Sequence, residues 1–152
     1  MTNDNQEAAA GADMIIFAWS QLMEPVIKEL ELKGTEILIS VAAGIPFEEL
    51  THYVADKEMT MFRLIPNTAI SEMESMTLIA SRNATKEQEQ LMLDIFNQMG
   101  LAMLIPEEKI AATTAMTSCG IATCLSISRQ PCRPALKWVS IPKTACAWWH
   151  NP

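Results

Sequence analysis

Five short apolar segments recur along the first 106 residues, each bounded by polar or turn-forming residues. They are ADMIIFAW (12–19), TEILISVA (35–42), MTMFRLI (59–65), MTLIAS (76–81) and LAMLIP (101–106). Continuous apolar runs of this length are typical of strands that are buried on both faces, as in parallel sheets. The second run also concentrates β-branched residues, which favour strands. The pattern therefore predicts five strands.

Amphipathic segments lie between these strands. In LMEPVIKELELKG (22–34), apolar residues recur every four positions, and Gly34 suits the position that directly follows a helix. The next segment, AGIPFEELTHYVADK (43–57), carries acidic residues in its first turn and Pro46 near its first helical position. Both segments therefore predict helices. The PNT sequence after the third strand predicts a turn.

The clearest helical segment is TKEQEQLMLDIFNQMG (85–100). Thr85 and Gln88 have the spacing of a capping box, and Gly100 suits the end of the helix. A last helix opens with EEKIAATTAM (107–116). Strands that alternate with helices predict an α/β fold, in which a mainly parallel sheet is flanked by helices.

Composition and charge narrow the class of protein. The chain has 152 residues, of which 49% are hydrophobic and 19% charged, a balance typical of a folded globular protein. The net charge of −7 argues against a nucleic-acid partner. No apolar run reaches the ~20 residues that cross a bilayer, and the first residues lack the features of a signal peptide. We therefore expect a cytoplasmic protein without a membrane partner.

The cysteines indicate neither a metal site nor a disulfide framework. Cys119, Cys124, Cys132 and Cys146 form no C-x-x-C pair, and the two histidines of the chain do not complete a zinc-binding pattern. Unpaired thiols are the ordinary state of cysteine in a reducing compartment. We expect no bound metal.

The composition changes abruptly near residue 122. Residues 123–152 contain four basic residues and no acidic one, whereas the preceding part has seven basic and 18 acidic residues. This last segment also shows no hydrophobic period. A single folding unit rarely changes composition in this way, so we treat residues 123–152 as a separate tail.

Several motifs, taken in order, resemble those of one enzyme family. They are ILISVAAGIPFEEL, MFRLIPNTAI, a capped helix that ends in NQMG, a strand, PEE and TTAMTSCGIA. Over residues 8–122 the chain resembles pyrroline-5-carboxylate reductase. The resemblance implies a Rossmann-type domain followed by a helical domain that forms a homodimer or a higher oligomer. It also implies transfer of a hydride from NADPH or NADH to the C=N carbon of a cyclic imine, a small-molecule substrate, to give proline.

The resemblance also implies the site residues. Near the cofactor it places Ala18 and the PNT turn on the nicotinamide side, and a loop of small residues beside them. These cofactor-binding residues are Ala18, Ala42, Ala43, Gly44, Pro66, Asn67 and Thr68. Asn67 has a simpler alternative role as a turn residue. The resemblance assigns no catalytic side chain.

For the substrate, the resemblance implies Glu107 and the sequence TSCG, which is Thr117, Ser118, Cys119 and Gly120. The TSCG residues are expected to open a helix against the substrate carboxylate, because unpaired N–H groups at a helix start favour an anion. Two alternatives stay open: Glu107 as an ordinary first-turn charge of a helix, and Cys119 as a small buried apolar residue.

The chain departs from the family pattern in three places. The glycines form no G-x-G-x-x-G turn, so the first βαβ unit and its pyrophosphate site are absent from these residues. The family's Val-Lys-Pro sequence after the first strand is replaced by the shorter stretch Ala18 to Gln21. Our hypothesis is that residues 123–152 are an out-of-frame reading of the helical domain: residues 136–144 can be back-translated so that a shift of one base gives Ile-Glu-Met-Gly-Phe-Tyr-Pro-Lys-Asp, which resembles that domain.

We therefore divide the chain into three parts: a partial NAD(P)-binding Rossmann-like domain (1–106), the start of a helical dimerisation domain (107–122) and an aberrant tail (123–152). We expect little or no reductase activity from the chain as it stands. The alternatives are a non-catalytic fragment or pseudogene product, including a regulatory fragment, and a fragment of another Rossmann-type dehydrogenase.

Overall fold

The computed structural model describes residue 2 and residues 4–18, 23–54 and 58–120. The tail and the end of the proposed dimerisation segment lie outside the described residues, as does most of the altered stretch after Ala18. None of the helices within the described ranges has the length and apolar character needed to cross a membrane.

A five-stranded sheet forms the centre of the molecule. Its strands stand side by side in chain order: β1 (Met14–Phe17), β2 (Ile37–Ser40), β3 (Met61–Ile65), β4 (Ser75–Arg82) and β5 (Gly100–Leu104). β1, β2 and β3 are parallel, β4 runs antiparallel to β3, and β5 is parallel to β4. All five predicted strands are present, and three of the four pairings are parallel. The predicted α/β class is confirmed.

Helices flank the sheet. They are α1 (Asn5–Ala9), α2 (Met23–Glu29), α3 (Phe47–Tyr53), α4 (Lys86–Phe96) and α5 (Ile110–Thr114). The described structure also contains short 3-10 segments at Thr68–Glu72, Asn97–Met99 and Glu107–Lys109. A π-helical segment follows α5 at Ala115–Cys119. The sequence analysis did not foresee α1, whose N-cap is Asp4.

The capping box of α4 is confirmed. Thr85 accepts a hydrogen bond from the Gln88 N–H, and the Gln88 side chain accepts one from the Thr85 N–H. The glycine stop predicted for α2 is wrong, whereas the one predicted for the helical segment of α4 is confirmed. α2 ends at Glu29, so Gly34 with its φ of 82° lies in the following loop. α4 ends at Phe96, and the 3-10 turn Asn97–Met99 continues the helical segment up to Gly100, which caps that turn and begins β5.

The sheet separates two apolar layers, because successive strand side chains point to opposite faces. On one face Leu38 and Met61 pack with residues from α2, α3 and α5. On the other face Ile39 and Phe62 pack with residues from α4, chiefly Met92. Helices on both faces explain why the strands are apolar without alternation. Near the sheet edge, Ile16 of β1 is 59% exposed.

Candidate functional site

The predicted cofactor residues lie where three parallel strands end. Ala18 follows β1, the Ala42–Gly44 turn follows β2, and Pro66 to Thr68 follow β3. Because β1, β2 and β3 are parallel, these segments share one edge of the sheet. In open α/β sheets, ligands bind outside the carboxyl ends of the strands. The fold thus places all three segments at the edge where such a protein binds its ligand.

The Ala42–Gly44 turn has small side chains and one open position. Ala42 is buried, and its N–H donates to the Ser40 hydroxyl at 3.3 Å. A Cβ added to Gly44 would meet no atom within 4 Å, so the space beside this glycine is open. A ligand could approach the backbone closely here.

Three hydrogen bonds hold Asn67 in place. Its side-chain oxygen accepts from the Ala69 N–H at 3.0 Å and caps the 3-10 segment that follows. Its amide nitrogen donates to the Thr117 carbonyl at 3.2 Å, and its own N–H donates to the Ser75 hydroxyl at 3.3 Å. The role as a turn residue is confirmed. Contact of Asn67 with a cofactor stays a prediction.

Glu107 is engaged by two protein donors. Its Oε1 accepts from the Arg63 guanidinium at 2.6 Å and from the Phe47 N–H at 2.7 Å. The second bond satisfies the backbone at the first residue of α3, where a negative charge is favourable. Glu107 begins a 3-10 turn, and its side chain also binds the start of α3 and the side chain of Arg63 in β3. A contact of Glu107 with substrate stays a prediction.

Arg63 is the residue that the sequence analysis missed. It lies in the middle of β3, 5% exposed, and its second terminal nitrogen donates to the Ala43 carbonyl at 2.9 Å. Its guanidinium carbon lies 6.0 Å from the centre of the Phe47 ring, within the range of a cation–π contact. A single charge inside the apolar run MTMFRLI was the available signal, because a buried cation needs a partner.

The predicted helix start at TSCG is wrong. Helical structure begins with the 3-10 turn at Glu107, continues through α5 and becomes π-helical at Ala115–Cys119. The Gly120 N–H donates to the Ala115 carbonyl, so this segment is helix interior, where the backbone already uses its donors. The helix predicted to open with EEKIAATTAM (107–116) ends directly before TSCG, so its extension by four residues would have predicted this continuation. Binding of substrate by TSCG stays a prediction.

Two hydroxyls along this helix are buried without a partner in the described part of the chain: those of Thr114 and Ser118. They are four residues apart, close to the π-helical segment. Segments of π-helix occur frequently at functional sites. Cys119, in contrast, is exposed rather than a buried apolar residue, which excludes that alternative for its side chain.

The structure therefore brings two pairs of predicted residues together. Arg63 joins Ala43 to Glu107, and Asn67 contacts Thr117 directly. Ala18 instead lines a largely apolar cavity of about 390 Å³ between α1, β1 and α2. Within the described ranges, no three His, Cys, Asp or Glu residues are grouped as metal ligands.

This sheet, with helices on both faces and loops at the carboxyl ends of its parallel strands, defines a Rossmann-type α/β protein. Known structures show the same architecture. The pyrroline-5-carboxylate reductase of Coxiella burnetii matches 95% of this chain with a TM-score of 0.83 at 23% identity, over 55% of its own chain. The Plasmodium falciparum pyrroline carboxylate reductase, solved with NADP bound, matches 90% of this chain with a TM-score of 0.81, over 53% of its own.

Sequence comparison agrees. Pyrroline-5-carboxylate reductase 2 of Dictyostelium discoideum is 36% identical over 141 residues, which cover 80% of this chain and 46% of that protein. The pyrroline-5-carboxylate reductase of Methanosarcina acetivorans is 32% identical over 125 residues, 79% of this chain and 46% of that protein. Over about 80% of its length, the chain is thus homologous to pyrroline-5-carboxylate reductases. It spans about half the length of most of these relatives, and no protein-family model matches it.

Proposed function

We propose that this chain is part of a pyrroline-5-carboxylate reductase, and that it contributes the nicotinamide side of the active site. In that reaction NADPH or NADH gives a hydride to the C=N carbon of protonated 1-pyrroline-5-carboxylate. The ring nitrogen takes up the π electron pair of the C=N bond and keeps its proton as an N–H, so that L-proline and the oxidised cofactor form. The observation that carries the proposal is the junction at the sheet edge. There Arg63 of β3 donates both to the Ala43 carbonyl, after the end of β2, and to Glu107. Asn67, after the end of β3, donates to the Thr117 carbonyl.

The role of the protein in such a reaction is chiefly to position the reactants, because the cofactor supplies the hydride. The Ala42–Gly44 turn would let a flat ring approach the backbone, since Gly44 has open space beside it. The Pro66 to Thr68 turn would border the same space from the end of β3. The buried hydroxyls of Thr114 and Ser118 are candidates to turn towards the substrate from the helix.

The expected activity of these 152 residues alone is little or none. They contain no glycine-rich turn of the kind that holds the cofactor pyrophosphate. We therefore expect a non-catalytic fragment when the chain is assayed by itself. The cofactor is NADPH or NADH, and the substrate is a small molecule. We expect the complete protein to be cytoplasmic and to assemble as a homodimer or a higher oligomer. We expect no nucleic-acid or membrane partner.

A chimera tests the proposal. Residues 8–120 of this chain replace the matching segment of the Dictyostelium discoideum reductase 2, and oxidation of NADPH is followed with 1-pyrroline-5-carboxylate as substrate. The chimera should reduce the imine, and the chain alone should not. A matched chimera with Gly44→Trp fills the open position and should lose most of the rate. A chimera that folds and binds NADPH yet leaves the imine unreduced would contradict the proposal.

A further inference from the structure

Arg63 is a buried cation that reaches two distant segments of the chain. Its Nη1 donates to Glu107, 44 residues further on, and its Nη2 donates to the carbonyl of Ala43, 20 residues earlier. The side chain of Arg63 is 6% exposed, and that of Glu107 is 32% exposed. An ion pair with so little solvent around it is weakly screened. Its geometry therefore constrains the elements that carry the two partners.

The same carboxylate oxygen also binds a third segment. Glu107 Oε1 accepts from the Phe47 N–H at the start of α3, in addition to Arg63. One guanidinium and one oxygen thus connect β3, the Ala42–Gly44 turn, α3 and the helical segment Glu107–Gly120. A further hydrogen bond holds the helical segment Glu107–Gly120 ten residues beyond Glu107: the Asn67 side chain donates to the Thr117 carbonyl.

We propose that Arg63 is a positioning residue of the site. Acting through Glu107, it sets the separation between the Ala42–Gly44 turn and the helical segment Glu107–Gly120. This inference rests on the proposed function, because those two segments are the ones proposed to face the cofactor and the substrate. It also gives Glu107 a role within the protein, as the acceptor that holds Arg63 and α3 in place.

The chemistry of arginine suits this role. Its planar guanidinium offers donors in fixed directions, so one side chain binds a carboxylate and a carbonyl at the same time. Lysine offers a point charge and would keep the attraction to Glu107 while losing the defined bond to Ala43. The two substitutions Arg63→Lys and Arg63→Met therefore separate charge from geometry.

Amide hydrogen exchange of the whole chain tests the proposal. The variants are Arg63→Met, Arg63→Lys and Glu107→Gln. The matched control is Glu24→Gln, which removes an ion pair between exposed side chains, Glu24 and Lys28. In Arg63→Met and Glu107→Gln, amides of residues 43–45, 47 and 107–120 should exchange about tenfold faster, while those of β2 and β4 stay within about threefold of the wild type.

Arg63→Lys should protect Phe47 and residues 107–120 nearly as well as the wild type, and residues 43–45 should exchange faster. Equal acceleration in all elements would make Arg63 a general stabiliser and overturn the proposal, as would unchanged exchange in Glu107→Gln. Should Arg63→Met fail to fold, Glu107→Gln and Arg63→Lys still decide. Because these measurements need no ligand, they stand apart from the proposed function. The chimera tests that function separately, by its reduction of 1-pyrroline-5-carboxylate.

Discussion

Gly100 faces Ser75 across the β4–β5 pairing at a distance that leaves no room for a side chain. A Cβ built on Gly100 would overlap the backbone nitrogen and oxygen of Ser75 and lie 2.9 Å from the carbonyl carbon of Glu74. Gly100 also has a φ of 130°, a conformation that side-chain-bearing residues rarely adopt. This close approach lets β5 begin beside β4, at the end of the sheet where Ser75 binds Asn67.

Gly100→Ala should therefore destabilise the protein strongly. Backbone strain and overlap together should lower the free energy of unfolding by about 3 kcal/mol or more. Urea denaturation followed by circular dichroism measures the change. Gly44→Ala is the matched control, since Gly44 lacks a positive φ and has open space, and it should change stability by less than about 1 kcal/mol. Similar losses in both variants would contradict this account.

Removal of the Glu107 carboxylate should cost more than removal of an exposed one. Glu107→Ala leaves the buried Arg63 charge and the Phe47 N–H without their acceptor, which should lower the free energy of unfolding by about 3 kcal/mol. Glu24→Ala, at an exposed pair with Lys28, should cost less than about 1 kcal/mol. Thermal or urea unfolding of both variants compares the two sites, and equal losses would argue against a structural role for Glu107.

Asn67→Asp separates the two hydrogen bonds of the Asn67 side chain. The new carboxylate still accepts from the Ala69 N–H and keeps the cap, but it cannot donate to the Thr117 carbonyl. The variant should therefore retain the 3-10 turn and lower stability by about 1–3 kcal/mol, since two oxygens would face each other. Exchange of the Ala69 amide checks the cap, and urea unfolding checks the stability. A variant as stable as the wild type would show that the Thr117 contact contributes little.

Thr85→Ala should weaken the start of α4. The substitution removes the hydroxyl that accepts from the Gln88 N–H, and loss of such a cap costs about 1 kcal/mol. Thr85→Ser keeps the hydroxyl and should stay close to the wild type. Urea unfolding measures both variants. If serine and alanine destabilise to the same extent, the threonine methyl group rather than the cap would be responsible.

Tyr53 should titrate well above its ordinary range. Its hydroxyl donates to the Glu49 carboxylate one helical turn earlier, and this hydrogen bond is the main cause that raises the pKa of Tyr53 from 10.0 to about 12. Tyr53 is the only tyrosine of the chain, so the absorbance of tyrosinate reports this group alone. The midpoint should be near pH 12 in the wild type and nearer 10.0 in Glu49→Gln.

The hydrogen bond between Tyr53 and Glu49 makes the stability of the folded protein depend on pH. Because the pKa of Tyr53 is higher in the folded protein, the stabilisation from this bond is complete below about pH 10 and is lost as the pH rises through about 12. Titration in concentrated urea supplies the unfolded reference and should return a midpoint near 10.0. An unshifted midpoint in the folded wild type would contradict the role of Glu49.

Local patterns were enough for most of the secondary structure. The five apolar runs became five strands, and the Thr85–Gln88 spacing became a capping box. These features depend on neighbouring residues, whose spacing the sequence displays directly. The end of α2 was misjudged because glycine permits a helix stop without requiring one. Gly34 lies in a loop and Gly100 begins a strand, where its φ allows a close approach to Ser75.

For the candidate site, the family resemblance supplied the segments, and the fold confirmed that those after β1, β2 and β3 share one edge. The sequence alone established the alternation of strands and helices, and with it the α/β class. Only the tertiary structure placed Arg63 against Glu107 and Asn67 against Thr117, and showed TSCG inside a helix. The physical reason is distance along the chain: periodicity reports which face of an element is buried, whereas the partner of a buried charge 44 residues away depends on strand order and helix packing.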